Sequence, residues 1–268
     1  MEGLIIFIIS ASILAFLLFR KKKIDLSDIM LPADYKNILE RYVAYYRALP
    51  ADKKLLFEER VKLFLSYVRI HGVKNDVTDT DRLLVAASAV IPIFGFADWH
   101  YYNLKDVLLY NDTFNAESFA TEGEDRNVLG MVGSGTMSQM MILSKDALYQ
   151  GFQNTTDKSN AAIHEFVHLI DKADGNADGI PEALMSNQYV LPWLRLIHND
   201  IKAIMQHNSD INPYGATNEA EFFAVAAEYF FEQPDLFQQK HPQLFDAMEK
   251  IFRQEPATSS GKNNVKSG

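Results

Sequence analysis

The chain has 268 residues, 48% hydrophobic and 23% charged, which excludes a disordered or fibrous protein and allows one domain or two small ones. It has no cysteine, which rules out a disulfide framework, cysteine-ligated metal, iron–sulfur clusters and a thiol nucleophile. The net charge of −9 argues against attraction to nucleic acid, and none is expected as a partner.

Charge and hydropathy are uneven at the start. Residues 3–19 are 17 consecutive uncharged, mostly apolar positions, followed directly by Arg20, Lys21, Lys22 and Lys23. A helix over that run is about 25 Å long, at the short limit for a bilayer core, and snorkelling of the basic residues extends its reach. A cleaved signal peptide carries its basic residues before the apolar stretch, and here the order is reversed. The expectation is a single-pass anchor over 1–23 in the inner (cytoplasmic) membrane. The positive-inside rule then places the domain over 24–256 on the cytoplasmic side. A soluble or buried helix is the competing reading.

Leu31-Pro32 opens the folded part. Helical spacing of apolar residues predicts helices over 35–47 and over 52–68, the latter with Leu55, Phe57, Val61, Phe64, Leu65 and Val68 inward. His71-Gly72 reads as a helix stop, and 79–94 as a third helix ending near Pro92. Residues 107–110 form a short strand, 115–135 a long loop or hairpin, 140–144 a second apolar strand, and 145–150 the start of another helix. Residues 136–143 are read as an edge strand beside a cleft, able to pair with an extended peptide. No internal repeat is visible, and 257–268 lack the apolar content to pack, so a disordered tail is expected.

The chemistry gathers at His164-Glu165-Phe166-Val167-His168. On a helix, residues four apart share a face, so both imidazoles reach one metal ion. Glu165 then stands where it can take a proton from a metal-activated water. A helix over 157–173 fits, capped by Asp157 or Ser159, ended by Gly175, and burying Ile163, Phe166, Val167 and Ile170.

Zinc needs a third protein ligand and an open fourth position. Asp174 lies close by, but Asp171 stands where a turning glycine would be needed, so the helix carries Asp174 away. The better source is a second helix over 219–232, capped by Asn218, with Glu219, Glu221 and Glu228 as candidates. Glu219 and Glu221 lie about 200° apart around a helix, so only one of those two faces the metal. Asp171, three residues after His168, either holds an imidazole N–H or is solvated. Glu228, two turns beyond Glu221, is either a support for the site or a surface acid.

His164-Glu-Phe-Val-His168-Leu-Ile-Asp171, a glycine-containing loop, and Tyr214 seven residues ahead of Glu221-Phe-Phe-Ala-Val together resemble the MtfA family, bacterial zinc metallopeptidases named for titrating the glucose repressor Mlc. The catalytic domain of anthrax lethal factor is similar at the same places. The likeness covers residues 31–255. It implies His164, His168 and Glu221 as zinc ligands, Glu165 as general base, and Tyr214 as the donor that stabilises the oxyanion on the scissile carbonyl. It also implies aminopeptidase-like activity and binding to a transcriptional repressor. The anchor over 3–19 departs from the soluble family pattern.

Weaker signals carry less. Residues 174–179 match half a calcium loop but have Met185 at the twelfth position, and read as a turn-rich connector. The glycines at 130, 133 and 135 lack dinucleotide-binding spacing. His71, His100, His198, His207 and His241 have no motif around them, and the Phe/Tyr-rich stripe at 222–231 reads as core. The expected fold is α+β, a mainly helical zincin-like domain with a small sheet, with zinc between the two motif helices. The expected function is hydrolysis of peptide or protein substrates; the alternative is a non-catalytic, repressor-binding protein on a peptidase scaffold.

Overall fold

The first helical stretch divides at a buried, β-branched residue. Val43 adopts an extended backbone, so the helix expected over 35–47 is two, α1 (Tyr35–Tyr42) and α2 (Ala44–Ala48). Helix α3 (Ala51–Tyr67) follows Pro50 and buries Phe57, Val61 and Phe64, while Leu55, expected inward, is exposed. Buried Glu58 of α3 accepts hydrogen bonds from Tyr35 Oη (2.8 Å) and Tyr46 Oη (2.7 Å), which ties the three helices together. This computed structural model describes residues 29–111, 129–133, 139–154 and 157–256. The expected anchor at 1–23 and tail at 257–268 lie outside the described residues. Among those described, no helix is long and apolar enough to cross a membrane.

The helix stop expected at His71-Gly72 is a strand, β1 (Arg69–Gly72). Thr78 and Asp81 then form a capping box that starts α4 (Asp79–Ile93). Helix α4 is buried on nearly every side from Leu83 to Ile93, as a central helix must be. It runs through Pro92 in its last turn, where Gln254 Nε2 donates to the carbonyls of Ile91 (2.9 Å) and Pro92 (3.0 Å).

Strands β2 (Asp106–Tyr110), β3 (Gly130–Val132) and β4 (Met140–Ser144) complete a sheet of order β1-β2-β4-β3. The pairs β1–β2 and β2–β4 are parallel, and β3 runs antiparallel to β4 with Gly130 opposite Leu143. Strands β1 and β3 are therefore the edges; of the edge strand expected over 136–143, residues 136–138 lie outside the described residues and 140–143 belong to interior β4. Met141, Ile142 and Leu143 are all buried, the signature of a strand covered on both faces.

Helices α5 (Lys145–Gln153), α6 (Ala161–Asp171), α7 (Val190–Met205), α8 (Glu219–Glu232), α9 (Pro234–Lys240) and α10 (Pro242–Phe252) complete the described elements. Helix α6 packs against α4, α5, α8 and β3, with Ile163, Phe166, Val167 and Ile170 buried as expected. The 222–231 stripe of α8 is core: Phe223 meets Trp193 of α7 and Phe252 of α10, and Phe230 meets Phe245. The fold is mainly helical with a small mixed sheet, as α+β implies.

Candidate metal centre

Two asparagine-capped helix starts, one buried and one exposed, position the site. Helix α6 is capped by Asn160, whose Oδ1 accepts from Ile163 N at 3.1 Å, rather than by Asp157 or Ser159. It ends in a 3₁₀ turn, Lys172–Asp174, closed by Gly175 in the left-handed region (φ 106°). Helix α8 is capped by Asn218, which accepts from Glu221 N at 2.9 Å. The two helices cross with His164 and His168 facing Glu221.

Three donor atoms converge there. His164 Nε2 lies 3.0 Å from Glu221 Oε2, His168 Nε2 lies 3.4 Å from the same oxygen, and the two Nε2 atoms are 3.1 Å apart. Ligands about 2.0–2.1 Å from a tetrahedral ion lie about 3.3 Å from one another, so this triangle fits a small divalent cation. The three side chains are largely buried, 12–18% exposed. Burial disfavours a proton on His164, yet the hydrogen bonds to Glu221 and Glu228 outweigh it and raise its pKa to about 10. Glu221 is pulled to about 2 despite burial, by His164 and His168. The pocket thus carries a field that favours positive charge. Among the described residues, His164, His168 and Glu221 are the group that could hold a metal ion.

Glu228 supports His164 from behind: its Oε1 lies 2.6 Å from Nδ1, and its Oε2 accepts Asn160 N at 2.6 Å. A carboxylate on Nδ1 makes that nitrogen the protonated one and leaves Nε2 to bind metal. Glu228 is 5% exposed, so the surface-acid reading fails. Glu219 points elsewhere, to His198 Nε2 at 3.2 Å. Asp174 is held in its own turn, accepting Asn176 N, and belongs to no ligand group.

Asp171 follows neither of its two expected readings. It is fully buried, and its Oδ2 accepts Gly179 N at 2.9 Å, while Oδ1 has no hydrogen-bond partner. Burial raises its pKa to about 6, against the pull of that amide. Gly179, at φ 74°, also gives its carbonyl to Trp193 Nε1 (2.7 Å), and a Cβ there would meet the Glu219 carbonyl at 2.3 Å. Asp171 therefore fastens the connector that leaves α6.

Glu165 is buried against β3, where a Cβ on Gly130 would meet its Cγ at 2.6 Å. Burial raises its pKa, opposed by His164 and His168. Tyr214 sits in the 3₁₀ turn Pro213–Ala216, its amide bonded to Asn212 Oδ1. Its ring centroid is 6.0 Å from that of His164, and it is half-exposed. Gly130, Val132, Glu165, His168, Tyr214 and Glu221 all line one cleft of about 400 Å³. Asn160 and Gly130 escape a motif search. The only signal of Asn160 is that of an N-cap residue before an apolar run, and Gly130 reads as loop.

Comparison with known proteins agrees with this geometry. The chain is 29% identical over 238 residues to an uncharacterized protein of Synechocystis sp., covering 84% of this chain and 86% of the relative. It is 31% identical over 235 residues to Mlc titration factor A of Salmonella paratyphi B, covering 78% of this chain and 84% of the relative. With Mlc titration factor A of Pectobacterium atrosepticum it shares 27% over 209 residues, 70% and 75% of the two chains. The profile of the glucose-regulated metallo-peptidase M90 family matches residues 17–253, and the chain belongs to that family.

Proposed function

We propose that the protein is a zinc-dependent peptidase. The observation that carries this reading is the triangle of His164, His168 and Glu221 donors with the buried Glu165 carboxylate beside it. A bound zinc ion would supply positive charge that favours deprotonation of water and polarises a peptide carbonyl. Glu165 takes the proton of the attacking water and delivers it to the leaving amine nitrogen. Its burial beside Gly130 suits that double role, since a raised pKa brings acid and base forms closer in energy. Tyr214, a neutral donor at the cleft wall, hydrogen-bonds the oxyanion. Among the described residues β3 is an edge of the sheet beside Glu165, and its backbone groups suit pairing with an extended substrate.

A second role is binding of a transcriptional repressor, supported by the name Mlc titration factor A that relatives carry. Residues 3–19 with the following basic residues support a single-pass anchor that holds the peptidase at the cytoplasmic face of the inner membrane. Reporter fusions at the C-terminus test that orientation: an active cytoplasmic reporter agrees, an active periplasmic one overturns it. For the peptidase itself, a diverse peptide library is incubated with the zinc-loaded protein and with Glu165→Gln. Cleavage by the wild type, lost in a variant that retains zinc, is the expected result. Repressor binding retained by Glu165→Gln, without hydrolysis by the wild type, would favour a binding protein on a peptidase scaffold.

A further inference from the structure

The two helices that supply the metal donors are joined behind the site by one residue. Asn160 is fully buried and uses all four of its polar groups, its backbone carbonyl accepting from His164 N at 2.9 Å. Its Oδ1 caps α6 through Ile163 N (3.1 Å), its backbone N–H reaches Glu228 Oε2 (2.6 Å), and its Nδ2 reaches Glu232 Oε1 (2.9 Å). Glu228 and Glu232 stand one turn apart on α8, so the backbone and side-chain nitrogens of the residue that caps α6 are both spent on that helix. The carboxamide has only one usable orientation, because Ile163 N needs an acceptor and Glu232 needs a donor. Gly151 of α5 makes room for it: a Cβ there would lie 2.7 Å from Asn160 Cγ and 2.9 Å from both terminal atoms of the amide.

Glu228 in turn holds Nδ1 of His164. The orientation of the Asn160 peptide therefore sets where Glu228 sits, and Glu228 sets the plane of the His164 ring. Burial, reinforced by Glu228 and opposed by the Asn160 bond, raises the pKa of Glu232 to about 8. A carboxyl group kept at that cost, half-buried and outside the cleft lined by His164 and Glu221, has a task in the fold.

We infer that Asn160 and Glu232 are positioning residues for the metal centre: together they staple the start of α6 to α8 and fix the span between His164 and Glu221. The inference rests on the reading of His164, His168 and Glu221 as metal ligands. It assigns the pair no contact with substrate.

The test measures zinc affinity of the full chain by competition with a chromophoric chelator, alongside the thermal midpoint of the metal-free protein. Asn160→Ser keeps a helix-capping oxygen and loses the donor to Glu232; Glu232→Leu removes the acceptor and leaves the cap intact. Each should weaken zinc binding by about 10-fold or more, the effect of losing an outer-shell partner. Asn160→Asp with Glu232→Gln reverses the polarity of the bond, the Gln amide now donating to the carboxylate. That double variant should bind zinc within about threefold of wild type, which a loss of packing alone would not produce. If Asn160→Ser does not fold, Glu232→Leu and the double variant decide. Wild-type affinity in Asn160→Ser or Glu232→Leu, or a double variant as weak as the singles, would overturn the inference. A wild-type chain that takes up no zinc would instead overturn the metal reading itself, and the inference with it.

Discussion

Two clusters of histidine and carboxylate, one around Asp210 and one around Glu221, are built to opposite rules. Around Asp210, the donors outnumber the acceptors. Lys158 Nζ (2.6 Å), Tyr229 Oη (2.9 Å) and Lys240 Nζ (3.0 Å) bond its Oδ2, and His241 Nε2 (2.7 Å) bonds Oδ1. Burial raises the pKa of Asp210, but these four bonds prevail and hold it well below the usual carboxylate range. Around Glu221 the balance is reversed: two imidazoles meet Glu221, Glu228 and the nearby Glu165, with donor atoms turned toward a common point. The first cluster neutralises itself and closes the fold. The second concentrates acceptors and negative field, which is what a cation site requires. Presence of His and Asp/Glu does not separate these cases; the count and direction of lone pairs does.

The comparison breaks most severely at the ligands. His168→Ala or Glu221→Ala should abolish stoichiometric zinc, read as metal content after dialysis, with the metal-free fold retained because α6 and α8 are held by their apolar faces. Glu165→Gln should keep one zinc per chain and lower kcat by about 10²–10⁴, since it removes the proton carrier and leaves the donors in place. Tyr214→Phe should lower kcat by about 10²–10³ with KM little changed, as expected for a bond made mainly to the oxyanion.

The Asp210 cluster should answer differently. Asp210→Asn should cost about 1–3 kcal/mol of stability by chemical denaturation and leave zinc affinity unchanged. Because Asp210 has its pKa lowered in the folded state, its contribution is present above the unfolded value near pH 4 and is lost as the pH falls through the folded one. The stability gap between wild type and Asp210→Asn should therefore shrink on acidification below about pH 4. A loss of zinc in this variant would mean that the two clusters are coupled and not separate in function.

The site was legible where its information is local. The spacing of His164 and His168, and the Asn218 cap ahead of Glu219 and Glu221, are properties of single helices, and they fold as read. Which glutamate turns to the metal is not local, because it depends on how α8 is rotated against α6; periodicity leaves Glu219, Glu221 and Glu228 open. The support from Asn160 to Glu228 spans 68 residues and involves a backbone N–H that any residue but proline could supply. Strand β1 hides because Arg69–Gly72 is too short to show alternation, and β3 because its glycine reads as a loop until Glu165 is seen to need the space. Helix α9 is too short for its periodicity to show, whereas α10 carries Leu244, Phe245, Met248, Ile251 and Phe252 at helical spacing and is open to reading; both pack on α8 through Phe230.

The central claim is that one metal ion, held by His164, His168 and Glu221, serves peptide hydrolysis. It is tested most directly by adding zinc stepwise to the chelator-stripped full chain while bound metal and peptide cleavage are followed together. The account predicts that cleavage rises in proportion to bound zinc and levels off at one equivalent. Cleavage that does not depend on zinc, or a filled site with no cleavage of any library peptide, would contradict it.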